Sequence, residues 1–135
     1  MLNAPDEVVR EILALEEAQR ALAVREKAHA DFLVFVRHVW DGFIQGSHHK
    51  QIAKRFETLA ETTASRLIVN MPPRHTKSEF ASYLLPAWLI GKNPELKIIQ
   101  TTHTAELAVR FGRKVRNLME MKDKYEYHFR KFFWF

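Results

Sequence analysis

The chain has 135 residues, room for one domain and one core but not for a multidomain enzyme, and its lack of cysteine excludes disulfide staples and thiolate metal sites and fits a reducing cytoplasm. Lys and Arg number 21 against 16 Asp and Glu, unevenly placed: residues 1–40 carry five basic and seven acidic side chains, residues 41–135 sixteen and nine. A polyanion such as a nucleotide or nucleic acid suits the second region, with a solvated basic surface as the alternative reading.

From Pro5 to about Ala30 the sequence is rich in Ala, Leu, Glu and Arg, and Val8, Ile12, Leu15 and Leu22 recur at helical spacing. This predicts a helical leader over residues 1–30, beginning just after Pro5 and carrying no signal peptide. The apolar block "DFLVFVRHVW" predicts a second, more buried helix, with Trp40 in the core. "DGFIQGS" breaks the pattern with two glycines, and "HHKQIAKRFETLA" resumes it with Ile52, Phe56 and Leu59 on one face.

At Arg66 the character changes. "RLIVNM" is a short β-branched apolar run of the kind that forms a buried strand, and it leads straight into "PPRHTKS". "SEFASYLLPAWLIG" has helical spacing up to Pro86, with Trp88 in the core, and Gly91 to Pro94 form a turn; its apolar stretch "YLLPAWLI" is too short to span a bilayer. "LKIIQTT" predicts a second buried strand, and "AELAVRFGRKVRNLMEM" an amphipathic helix with Leu107, Phe111, Val115 and Leu118 inward. Strand, loop, helix, strand, helix is the order of a parallel βαβ unit, so the predicted fold class is α/β. The tail "KYEYHFRKFFWF" ends in four aromatics, a composition expected to pack onto something or to aggregate, and the chain reads as cut short or out of frame there.

The loop carries the chemistry. A phosphate-binding loop follows a strand, points backbone N–H groups inward, and supplies a lysine for the β- and γ-phosphates and a hydroxyl for Mg²⁺ at the start of a helix. Of the pattern G-x-x-x-x-G-K-[ST], the residues Met71, Pro72, Pro73, Arg74, His75, Thr76, Lys77 and Ser78 keep the Lys-Ser end and replace both glycines. Two prolines fix by rigidity a shape that glycine permits by flexibility. Thr76 is the weak point, because a β-branched residue is strained wherever positive φ is required. The alternative is a Pro-Pro turn with an incidental Lys-Ser.

The stretch "VNMPPRHTKSEFASYLLPAWLIGKNPELKIIQTTHTAELAVRFGRKVRNLM" resembles the start of the ATPase domain of the large subunit of tailed-bacteriophage terminases, the motors that pump DNA into capsids. That family often replaces the first glycine and carries a Pro-Pro-Arg loop. The resemblance covers roughly residues 31–120 and implies that residues 31–135 hold the first βαβα part of a helicase-like P-loop sheet, binding ATP with Mg²⁺. It gives Lys77 the phosphates and Ser78 the Mg²⁺, with Pro72, Pro73, His75 and Thr76 completing the cradle. Arg74 would act as an arginine finger on the transferring phosphoryl group. Gln51, in "HHKQIA", would contact adenine, or is otherwise an exposed polar residue of an amphipathic helix. "TTHTAELA" resembles the strand-to-helix junction that touches nucleic acid in some helicase-like relatives. Implied partners are double-stranded viral DNA, the small terminase subunit docked on the helical leader, and the portal protein, in the cytoplasm of a bacterial host.

A motor of this type also needs a second carboxylate for Mg²⁺ and a glutamate to activate water, both at the end of an apolar strand. After Thr102 the acidic residues are Glu106, Glu120, Asp123 and Glu126, and none follows such a strand. The expectation is therefore the N-terminal part of a terminase, without the nuclease domain, that binds nucleotide without completing hydrolysis. A fragment of a helicase-like DNA translocase and a non-catalytic degenerate prophage protein are the alternatives. Arg110, Arg113 and Lys114, opposite the apolar face of the last helix, either meet DNA phosphates or form a solvated basic face. The pair His48 and His49 is rejected as a metal site, since neighbours on a helix point about 100° apart and no carboxylate stands four residues on.

Overall fold

The computed structural model describes residues 6–63 and 65–121; the aromatic tail, with Asp123 and Glu126, lies outside the described residues. Helix α1 (Asp6–Ala30) begins directly after Pro5 and places Asp6 and Glu7 in its first turn, where carboxylates offset the unpaired N–H groups. It ends at Asp31, whose extended backbone (φ −111, ψ 115) and side chain open α2 (Phe32–Val39): Asp31 Oδ1 accepts from the Val34 N–H at 3.0 Å. Gly42, at φ 75, turns the chain towards α3 (Ser47–Glu61). The second half holds a helical run of three parts, α4 (Lys77–Glu79), a π segment (Phe80–Leu84) and α5 (Leu85–Lys92), and then α6 (Ala105–Glu120), capped by Thr104 through the Leu107 N–H at 3.3 Å.

The core is built by helices around one ring. Phe32 is fully buried and meets Phe56 (5.5 Å), Phe80 (5.5 Å) and Trp88 (5.4 Å) edge to face. It thereby joins α2 to α3, to the π segment and to α5. Two polar contacts fix the same junction: the Phe32 N–H donates to Glu57 Oε1 at 2.9 Å, and Trp88 Nε1–H donates to the Ala28 carbonyl at 2.9 Å. Both satisfy groups that burial would otherwise orphan. Leu118 is buried on this assembly, with Val115 half-buried beside it.

The parallel βαβα sheet is not present: the described residues contain no strand, and the fold they form is all-helical. The segments expected as strands form no ladder, and their isoleucines stand in solvent, Ile68 at 86% and Ile99 at 90% exposure, while Val69 is half-buried against the helical core. Parallel strands persist when both faces are covered, and these are not. Gln100 instead donates from Nε2 to the Ser82 carbonyl at 3.1 Å. That contact bears on a second correction, because the helix does not stop at Pro86 but continues to Lys92. Proline has no N–H to return to the preceding turn. The ladder loosens into the π segment just before it, and Gln100 satisfies one of the carbonyls of that segment.

Candidate functional site

The loop between Asn70 and Lys77 is short, exposed and bent at two unusual residues. Among the described residues Arg74 and Thr76 are the non-glycine residues at positive φ, 65 and 60. For Thr76 (ψ 8) this is the left-handed region, and holding a β-branched residue there costs about 1–3 kcal/mol. The bend lets α4 begin at Lys77: the Thr76 carbonyl accepts the first helical bond, from the Phe80 N–H at 2.9 Å. The N–H groups of Lys77, Ser78 and Glu79 come before that bond and so have no partner within the helix. The side chains of Lys77 and Ser78 are exposed.

Thr76 is held by a histidine of α3. His49 is 4% exposed, stacked on Phe80 (ring centroids 5.0 Å) and edge to face with Phe43 (4.9 Å). The Gly46 N–H donates to its Nδ1 at 2.8 Å, so the ring is neutral with its proton on Nε2, and Nε2–H donates to Thr76 Oγ1 at 2.7 Å. Thr76 in turn donates from Oγ1 to the His75 carbonyl at 2.6 Å, and His75 donates from Nδ1 to the Pro73 carbonyl at 2.9 Å. His48 completes a cluster of imidazoles, 3.9 Å from His49 and 5.7 Å from His75. Among the described residues no group of three or more His, Cys, Asp or Glu is arranged to hold a metal.

Burial first, then the charges of His48 and His75, holds the His49 pKa below the ordinary value of 6.5. The unfolded chain therefore binds more protons than the folded one below that pH. The stability His49 contributes is complete above pH 6.5 and is lost as pH falls through its lowered folded value. His29, lowered by burial and by Lys92 and Arg25, acts in the same direction. Urea midpoints at about pH 7.5 and about pH 5 should thus differ more in the wild type than in His49→Phe.

Two clefts flank the loop. A cleft of about 850 Å³ lies between α3 and the segment before the loop, lined by His48, Gln51, Ile52 and Arg55 on one side and by Met71, Pro72 and His75 on the other. A second, of about 590 Å³, brings together Trp40, Arg74, Lys77, Ser78 and Glu79, with Pro73 and Thr76. Met71 and Pro72 line both. Of the expected phosphate residues, Pro72, Pro73, Thr76, Lys77 and Ser78 share one cleft, while His75 lines the neighbouring one with Gln51, across Met71 and Pro72.

The α6 residues divide differently. Lys114 is bound to Glu79, its Nζ 2.7 and 2.8 Å from the two carboxylate oxygens, and sits 5.2 Å from the Tyr83 ring. Arg110 and Arg113 are exposed along a shallow hollow of the same helix. Two residues that sequence reasoning missed are His49, whose signal was its place three residues after the α3 cap at Gly46, and Glu79. Comparison with known protein families, with curated proteins and with solved structures finds no match.

Proposed function

We propose that the loop from Pro72 to Ser78 binds the phosphates of ATP with Mg²⁺, as the resemblance to terminase large subunits implies, and that the parent activity is ATP-driven packaging of viral DNA. The observation that carries this reading is the left-handed turn at Thr76, which starts a helix at Lys77 and leaves the first-turn N–H groups without helical partners beside an exposed lysine and serine. N–H groups, an ammonium and a hydroxyl in one cleft are a donor set for polyphosphate. Arg74, in the same cleft, adds a second cation. Bound Mg²⁺ would neutralise phosphate charge, with the Ser78 hydroxyl as its protein ligand. Gln51 and the larger cleft are the place for the base.

Hydrolysis asks for more. The carboxylate lining the Lys77 cleft is Glu79, and Lys114 already occupies it. This favours nucleotide binding without turnover by the described residues, and it is the observation behind a second reading, a non-catalytic binding protein. DNA contact at Arg110 and Arg113 and docking of a small terminase subunit on α1 are supported by exposure alone: both arginines, and the stripe Val8, Ile12, Leu15 and Leu22, face solvent. Among the described residues no helix is long and apolar enough to cross a membrane.

The test is titration of the purified chain with a fluorescent ATP analogue and Mg²⁺, beside Lys77→Ala. Binding by the wild type that the variant loses supports the reading. Equal failure of both proteins, folded by circular dichroism, overturns it.

A further inference from the structure

We infer that His49 is the positioning residue of the loop: its Nε2–H to Thr76 Oγ1 bond holds Thr76 in the left-handed turn that a glycine would adopt unaided, so α3 presets the geometry of the Lys77 cleft. The inference rests on the phosphate-binding reading for its consequence, though not for its geometry.

Three observations converge. Thr76 stands where the general phosphate-loop pattern has its second glycine, and it has the positive φ that glycine would tolerate. A β-branched side chain there needs an outside hold. His49 provides one from 27 residues away in sequence, and its own ring is held, because it is buried, stacks on Phe80 and meets Phe43 edge to face, while the Gly46 N–H fixes which nitrogen carries the proton. The Thr76 hydroxyl, by accepting from His49 and donating to the His75 carbonyl, passes that constraint into the loop backbone. His49 does not line the Lys77 cleft, so its role is to position the loop and not to contact the ligand.

A thermodynamic cycle on two readouts tests this. His49→Phe keeps a ring packed against Phe43 and Phe80 and removes the bond; Thr76→Val removes it from the other side and leaves His49 packing intact; Thr76→Gly removes the need for it. Affinity for the fluorescent ATP analogue should fall about tenfold in His49→Phe and in Thr76→Val, with the double variant no weaker than either. Whatever affinity Thr76→Gly itself has, adding His49→Phe to it should lower that affinity no further. Amide hydrogen exchange at Lys77, Ser78 and Glu79, measured without nucleotide, should follow the same order, quickening about tenfold where the bond is lost from threonine. Equal effects of His49→Phe in the wild-type and Thr76→Gly backgrounds would overturn the inference, because the histidine would then act only through general stability. If no protein binds nucleotide, the functional reading fails, and the exchange pattern alone decides for or against His49.

Discussion

Replacing Phe32 by alanine should lower the free energy of unfolding by about 3–5 kcal/mol. The ring is fully buried and lies edge to face with Phe56, Phe80 and Trp88, so its loss opens a void at the junction of α2, α3, the π segment and α5. No single neighbour refills it, because each of the three rings is also fixed on its own element. A domain of this size is stable by only about 5–15 kcal/mol, so the change removes a large fraction of the total. The backbone bond from Phe32 N–H to Glu57 survives the substitution, which confines the effect to packing. Urea unfolding followed by circular dichroism measures it; a shift below about 1 kcal/mol with an unchanged slope would show that the core does not turn on this residue.

The second large effect is on ligand rather than fold. Lys77→Ala should weaken binding of an ATP analogue by about 10- to 100-fold, the worth of one hydrogen bond to a charged group. Stability should barely change, since Lys77 is exposed and among the described residues forms no ion pair. A variant that loses affinity only in step with its folded fraction would remove Lys77 from the phosphate site. Raising the salt should weaken wild-type binding more than variant binding, because a charge contact is what the substitution deletes.

The helices were readable from local signals. Asp31 and Thr104 are capping residues with side-chain oxygens on the first turns of α2 and α6, Pro5 precedes α1, and the period of Leu107, Phe111, Val115 and Leu118 sets the inward face of α6. The absence of strands among the described residues was not readable, because "RLIVN" and "LKIIQ" announce only a local preference for extended backbone. Whether an extended segment pairs depends on partners distant in sequence, and local β-propensity carries no information about them. Pro86 misled for a related reason: a proline forbids one hydrogen bond, and a π turn with an amide from Gln100 beside it accommodates that loss. At the site, the strain at Thr76 followed from its place in the loop pattern. Its remedy did not, since nothing near Thr76 in sequence points to His49.

Helix α1 has a mechanical consequence. Every residue from Asp6 to Arg20 is exposed, and burial begins only at Ala21, Arg25 and Ala28, where Trp88 holds the Ala28 carbonyl. Fifteen residues therefore extend about 22 Å beyond the packed end of one unbroken helix. Whatever binds that length acts on a helix whose other end is tied by the Ala28 carbonyl to Trp88, whose indole meets Phe32 and through it Phe80, the residue stacked on His49. Four aromatic rings thus connect the base of α1 to the loop.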